Sequence, residues 1–190
     1  MSASLNGFVG QADRVVLLDM DGVLVDFVDR AYEACGVDPH TRTMMAQRIK
    51  SWDDVHVPLG ITQTELWRRI DDWGEHFWSH APWRTGATAA LIVAEGIGQV
   101  YLCSSPSRLS ESRSGKHKWV ERQLPEYAHR LILCKDKHLL AQPGRVLIDD
   151  NPHNCQRFIE CGGDALLVPH ACNSASDLPR LRSFSSIDVV

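Results

Sequence analysis

The chain contains no apolar run approaching the ~20 residues that cross a bilayer, so no spanning helix is expected. Met1 to Gly10 lack the basic start and long apolar core of a secretory leader, and no signal peptide is expected there. C-x-x-C pairs are missing too. Cys35, Cys103, Cys134, Cys155, Cys161 and Cys172 are scattered. A chain of this length needs no covalent staple, so the reading is reduced thiols in a cytoplasmic protein. Lys and Arg are not clustered, and the formal net charge is −4. That excludes a duplex-binding surface, which needs a basic footprint. A basic amphipathic stretch that would suit a membrane surface is likewise absent.

What remains is a chain of 190 residues, enough for one domain with a proper core and a small inserted lobe. Short apolar runs punctuate it: Arg14 to Leu18, Gln99 to Cys103, Arg130 to Cys134, Arg145 to Ile148 and Asp164 to Val168. They show little polar alternation, the pattern of parallel strands covered on both faces. Helical stretches separate them. Thr88 to Glu95 is Ala-rich and is expected to end at Gly96; Lys116 to Gln123 and Asn154 to Glu160 are the others. Alternating strands and helices predict an open α/β sheet.

Phe27 to Trp83 breaks the rhythm. It is helical in character (Arg42 to Lys50, Thr62 to Trp73) and holds Trp52, Trp67, Trp73, Trp78 and Trp83. Either these rings form the small core of a helical lobe, or some face a ligand beneath a lid; both can hold. The tail after Pro169 is rich in Ser, Asn and Asp and is expected to be loosely ordered.

Four motifs carry chemistry, and each follows an apolar run. Asp19-Met20-Asp21-Gly22 puts two carboxylates in one strand-end loop. In an open parallel sheet such loops line the ligand crevice, and a hard cation such as Mg2+ would relieve the repulsion between them. The plain alternative is a solvated Asp-Gly turn. Asp149-Asp150 follows another run; it adds two more carboxylates or is simply an acidic helix start. Ser104-Ser105-Pro106 offers hydroxyls and backbone N–H groups to a phosphate, or is a common turn. Lys137, in Lys135-Asp136-Lys137, is a point charge for an anion or part of a solvated loop.

The order of the four resembles the haloacid dehalogenase-like (HAD) superfamily of phosphohydrolases, over about Arg14 to Val168. The resemblance implies a Rossmann-like open parallel sheet with a small helical cap inserted after the first strand. Residues 1–26 and 84–190 would form the α/β core, and 27–83 the cap. It further implies that Asp19 attacks phosphorus, which spacing alone could not assign, and that Asp21 serves as acid and then base. Ser104 would hold the phosphoryl group and Lys137 would fix Asp19. Mg2+ would be held by Asp19, the backbone carbonyl of Asp21 and the Asp149–Asp150 pair, most directly Asp150. An aspartate at the Asp21 position points to phosphatases and away from dehalogenases.

The stretches DMDGVLVDF, VYLCSSPSR, KHKWVERQL, LCKDKHLL and VLIDDNP look like the 5′(3′)-deoxyribonucleotidases. That likeness implies a nucleoside monophosphate as substrate, with Phe27 against the base. Trp52, Phe77 and Trp78 are looser candidates, and Ser105 and Arg108 complete the substrate-binding set. Arg108 and Lys116 follow the second motif and either touch the substrate phosphate or sugar or, on the plainer account, are solvated charges. The departures are Ser104 and Lys135, where the family usually carries threonine and arginine, and a cap of dissimilar sequence. The expected partner is a small phosphate monoester, with no nucleic acid and no membrane, and a homodimer left open. A sugar phosphate is the rival substrate. A phospho-accepting signalling or binding domain is the rival class, although its acidic pair would precede the acceptor. His76 and His80 have the i, i+4 spacing of zinc ligands, but no third ligand accompanies them.

Overall fold

The computed structural model describes residues 14–170, 173 and 176–178. The expectations for Met1 to Gly10, for Cys172 and for the tail beyond 178 lie outside these residues. Five parallel strands form one sheet: β1 (Val15–Leu18), β2 (Gln99–Ser104), β3 (Leu131–Leu133), β4 (Arg145–Asp149) and β5 (Asp164–Leu167), in the order β3-β2-β1-β4-β5. β1 lies at the centre, with Leu18 in register with Leu102 of β2 and Ile148 of β4. The three strand ends that follow these residues therefore open side by side.

Side chains alternate across each strand, and both sets are buried. Val16, Leu18, Val100, Leu102, Val146 and Ile148 pack under two helices, α5 (Ala87–Ile97) and α6 (Ser110–Gln123). Leu17, Cys103, Leu147 and Leu167 point the other way, onto Cys155 and Phe158 of α7 (Pro152–Glu160). This two-sided cover is why the runs lacked polar alternation. Burying each large aliphatic side chain contributes about 1.5–3 kcal/mol. The described cysteines are all free, and among the described residues no helix is long and apolar enough to cross a membrane.

Between β1 and α5 lie four helices: α1 (Phe27–Ala34), α2 (Pro39–Ala46), α3 (Gln63–Asp72) and α4 (Gly74–Ser79). They make a core of their own around Val28, Tyr32, Leu66, Ile70 and Phe77. The insertion leaves and rejoins the sheet domain at one place, where Val25 bridges Trp83 and the Asp26 N–H donates to the Pro82 carbonyl. Arg30 is buried inside it. Its guanidinium donates to the carbonyls of His76 and Phe77 and lies 4.6 Å over the Trp73 ring, fastening α1 to α4.

Several element boundaries differ from expectation. α5 does not stop at Gly96 but runs through it to Ile97, because Ile97 packs on the sheet core and the Gly98 N–H closes the last turn on Ala94. α2 begins at Pro39, capped by Asp38, and ends at Ala46, short of Lys50. α6 begins at Ser110, well before Lys116. α1 and α4 were not anticipated; α1 is capped by Asp26, whose carboxylate accepts from the Asp29 N–H. After β5 the chain does not simply drift away: buried Asn173 donates to the Asp150 and Val168 carbonyls.

Candidate active site

The strand ends of β1, β2 and β4 meet the insertion at a cavity of about 550 Å³. Asp19, Asp21 and Asp150 line its floor, Ser105 and Arg108 its side, and Phe27, Trp52, Trp67 and Trp78 its aromatic wall. Sequence reading singled out each of these as a site candidate except Trp67, which it named only among the rings of the insertion. Phe77 does not reach the cavity. It is 1 % exposed and backs the wall, edge-on to Phe27 and Trp78.

Asp19 is held by two donors on one oxygen. Its Oδ1 accepts from the Met20 N–H at 2.8 Å and lies 2.7 Å from Lys137 Nζ. Lys137 is almost wholly buried and is also bound to Asp149 Oδ2 at 2.6 Å. Asp149 is saturated, because the Asn151 N–H and the Asn154 amide donate to it as well. It is therefore the lysine's anchor, and Asp150 is the member of the acidic pair that turns to the cavity.

Gly22 makes this convergence possible. The loop after Asp19 folds back so that the Leu24 and Val25 N–H groups both donate to the Met20 carbonyl, and Gly22 sits at φ +76°. A Cβ there would fall 1.7 Å from Asp150 Oδ2. Glycine supplies both the left-handed turn and the room for the carboxylate.

The electrostatics are those of an acid cluster with too few cations. Burial, reinforced by Asp149 and Asp21 against the pull of Lys137, pushes Asp19 up to about 7. Burial, with Asp149 and Asp19 beside it, raises Asp150 well above the carboxylate range. Burial alone would lower Lys137, but Asp149 and Asp19 outweigh it and hold its charge on. Oxygen ligands of Asp19, Asp149 and Asp150 lie within 4.8 Å of one another. Asp150 Oδ2 is buried with no hydrogen-bond partner. An all-carboxylate donor set with one orphaned buried oxygen fits a hard divalent cation.

Two polar residues stand differently from expectation. Ser104 is fully buried at the end of β2, behind Ser105, and its Oγ accepts from Lys116 Nζ at 2.8 Å. Lys116 is no solvated charge. It is 1 % exposed, pairs with the Asp21 carboxylate, and lies 4.9 Å from the centroid of the Trp78 ring. Its place in the KHKWVERQL stretch after the second motif allowed a substrate contact, but mid-helix among other charged residues it read more plainly as facing solvent. Arg108 is exposed and pairs with Asp71 of α3 at 3.1 Å across the cavity mouth. The His76 and His80 rings lie 4.0 Å apart, tilted by 32°, and among the described residues they gather no third metal ligand.

Residues 13–188 match the family described as "5′ nucleotidase, deoxy (Pyrimidine), cytosolic type C protein". The human "5′(3′)-deoxyribonucleotidase, cytosolic type" is 31% identical over 153 residues, covering 71% of this chain and 69% of that protein. Among solved structures, a haloacid dehalogenase-like family hydrolase from Xanthomonas campestris aligns with a TM-score of 0.55 at 16% identity, covering 93% of this chain and 88% of the other. The Mycobacterium tuberculosis Protein Tyrosine Kinase A aligns at 0.57 and 14%, covering 93% and 96%. The first of these likenesses shows the HAD-like fold. The family match sets aside the phospho-accepting signalling domain.

Proposed function

Because the chain belongs to the cytosolic type C 5′-nucleotidase family, and so is a phosphoric monoester hydrolase, we propose that it hydrolyses (deoxy)nucleoside monophosphates to nucleoside and phosphate through an aspartyl-phosphate on Asp19. The observation that carries this reading is the pairing of a lysine-pinned carboxylate with an aromatic-walled cavity. Both contacts to Asp19 fall on Oδ1, which leaves Oδ2 to attack phosphorus. As that bond forms, the bond to the leaving oxygen breaks, and Asp21 delivers a proton to the departing alcohol. Water then attacks the acyl phosphate, Asp21 takes its proton, and phosphate leaves with Asp19 restored.

Lys137 offsets charge on Asp19 and on the phosphoryl oxygens, the main demand of phosphoryl transfer. Asp19, Asp150 and the Asp21 carbonyl would hold Mg2+, with Asp149 supporting. When bound, the ion would neutralise the phosphoryl oxygens. Ser105 and backbone N–H groups at the end of β2 would cradle those oxygens, with Ser104 behind them. Phe27, Trp52, Trp67 and Trp78 would receive the base; stacking of this kind contributes roughly 1–3 kcal/mol per base. Arg108 stands at the mouth, where the sugar would enter. We treat residues 27–83 as the cap that closes over this site.

The test is phosphate release over a panel of deoxynucleoside monophosphates and sugar phosphates. Highest kcat/KM is expected on a nucleotide. Asp19→Asn is expected to abolish turnover while leaving the circular dichroism spectrum unchanged. Best turnover on a sugar phosphate, with nucleotides inert, would overturn the substrate. Near-wild-type activity in Asp19→Asn would overturn the nucleophile.

A further inference from the structure

We infer that Lys116 is a positioning residue for the proton-transfer half of the reaction, setting Asp21 and the Ser104 hydroxyl in place and tying both to the cap. The inference rests on the acid–base reading of Asp21 given above. Lys116 rises from α6, outside all four strand-end motifs, yet its ammonium reaches the floor of the site. It meets three groups there: the Asp21 carboxylate, Ser104 Oγ at 2.8 Å, and the face of Trp78 on α4 at 4.9 Å. It is 1 % exposed. A buried ammonium is retained only when its partners compensate the lost hydration, and here every partner belongs to the site.

The consequences are geometric. Asp21 lies at the cavity, two residues from the nucleophile, on a side chain with two free torsions. Pairing with Lys116 selects one orientation and turns the other carboxylate oxygen toward the leaving group. Ser104 Oγ accepts from the ammonium, so its own proton is directed away from the lysine, where it can be donated. Trp78 closes the third side. An occupied aromatic wall therefore presses on the same ammonium that aims the acid. Lys137 does the corresponding work for the nucleophile from the other side of β1, so each aspartate of the first motif has its own lysine.

Lys116 exchanges no proton in this scheme. Its removal leaves Asp21 able to donate but badly placed, and displacements of that order cost about 10²-fold. The loss must depend on the leaving group. An alkoxide leaving from a nucleoside needs the proton as the bond breaks, whereas p-nitrophenolate does not.

The test compares kcat/KM, which reports the first bond-breaking step, on a deoxynucleoside monophosphate and on p-nitrophenyl phosphate. Lys116→Met is expected to lower the first about 10²-fold and the second less than about 10-fold. The double variant with Asp21→Asn should be no worse on the nucleotide than Asp21→Asn alone. Equal losses on both substrates would make Lys116 a structural or general phosphate-binding charge and overturn the inference, as would additive losses in the double variant. If Lys116→Met fails to fold, Lys116→Gln carries the same comparison, with the same outcomes counting for and against. A failure of the parent reading looks different: Asp21→Asn itself would then show no leaving-group dependence.

Discussion

Asp150 holds a buried carboxylate oxygen without a donor, and packed directly against that carboxylate is Gly22, a glycine with no room for a Cβ. Single residues of this kind define the site more sharply than its overall charge. His170 is another. It stacks on Trp52 at 4.7 Å, and burial, with Arg84 nearby, pushes it from 6.5 down to about 4. Because its folded value lies below its unfolded one, the stability it contributes is fully present above pH 6.5. It is lost as pH falls toward 4, where the unfolded chain takes up a proton that the folded chain refuses. Asp19, raised by burial, titrates in the opposite sense, so the clean measurement is a difference. Urea midpoints of wild type and His170→Gln at pH 7 and pH 5 should converge at the lower pH; a constant gap would deny His170 this role. At this scale the sequence was legible wherever chemistry sat at a strand end. Asp19, Asp21, Lys137 and Asp150 could be read because each terminates an apolar run. Lys116 and Trp67 were named only with alternatives left open, the one as a substrate contact or a solvated charge, the other as one of several rings, since their positions depend on how helices pack together, and that contact leaves no local pattern.

Among the elements, α4 and α6 pack directly against each other. Gly115 permits it: a Cβ there would lie 2.6 Å from Trp78 Cβ and 2.8 Å from the Glu75 carbonyl. Two forces oppose each other in Gly115→Ala. Helix propensity favours alanine by about 1 kcal/mol, while overpacking costs about 1–3 kcal/mol. Backbone stands in the way, so overpacking should win. The variant is expected to lose about 1 kcal/mol or more in chemical denaturation and to raise KM, because Trp78 moves with α4. A stabilised variant with unchanged KM would mean that the helices separate freely. The strands were foreseeable to within a residue or two because both their faces are buried. The helices of the insertion were not. α1 begins at Phe27 behind its cap Asp26, which the eye assigns to the preceding motif, and α4 is a six-residue element too short for its periodicity to register.

For the molecule as a whole, gathering buried acids at the end of the sheet leaves folding in debt until a cation arrives. Mg2+ at about 100 times its dissociation constant should add about 2.7 kcal/mol, a rise of roughly 5–10 °C in Tm for a chain of this size. EDTA should remove both this rise and turnover, and Asp150→Asn should blunt it. Calorimetry with and without the ion reads the effect directly; a Tm indifferent to Mg2+ and to EDTA would count against the site. The α/β architecture could be anticipated from the alternation of runs and helices, whereas the shape of the cavity could not, because it is made between two cores that each look self-sufficient in sequence. The junction at Val25 and Trp83 has a last consequence. The excursion departs and comes home through one doorway, so its length burdens the sheet little, because closure entropy grows only slowly with length. Selectivity can therefore be rewritten by exchanging the part of the excursion before α4, while α4, packed on α6, and the hydrolytic apparatus beneath stay in register.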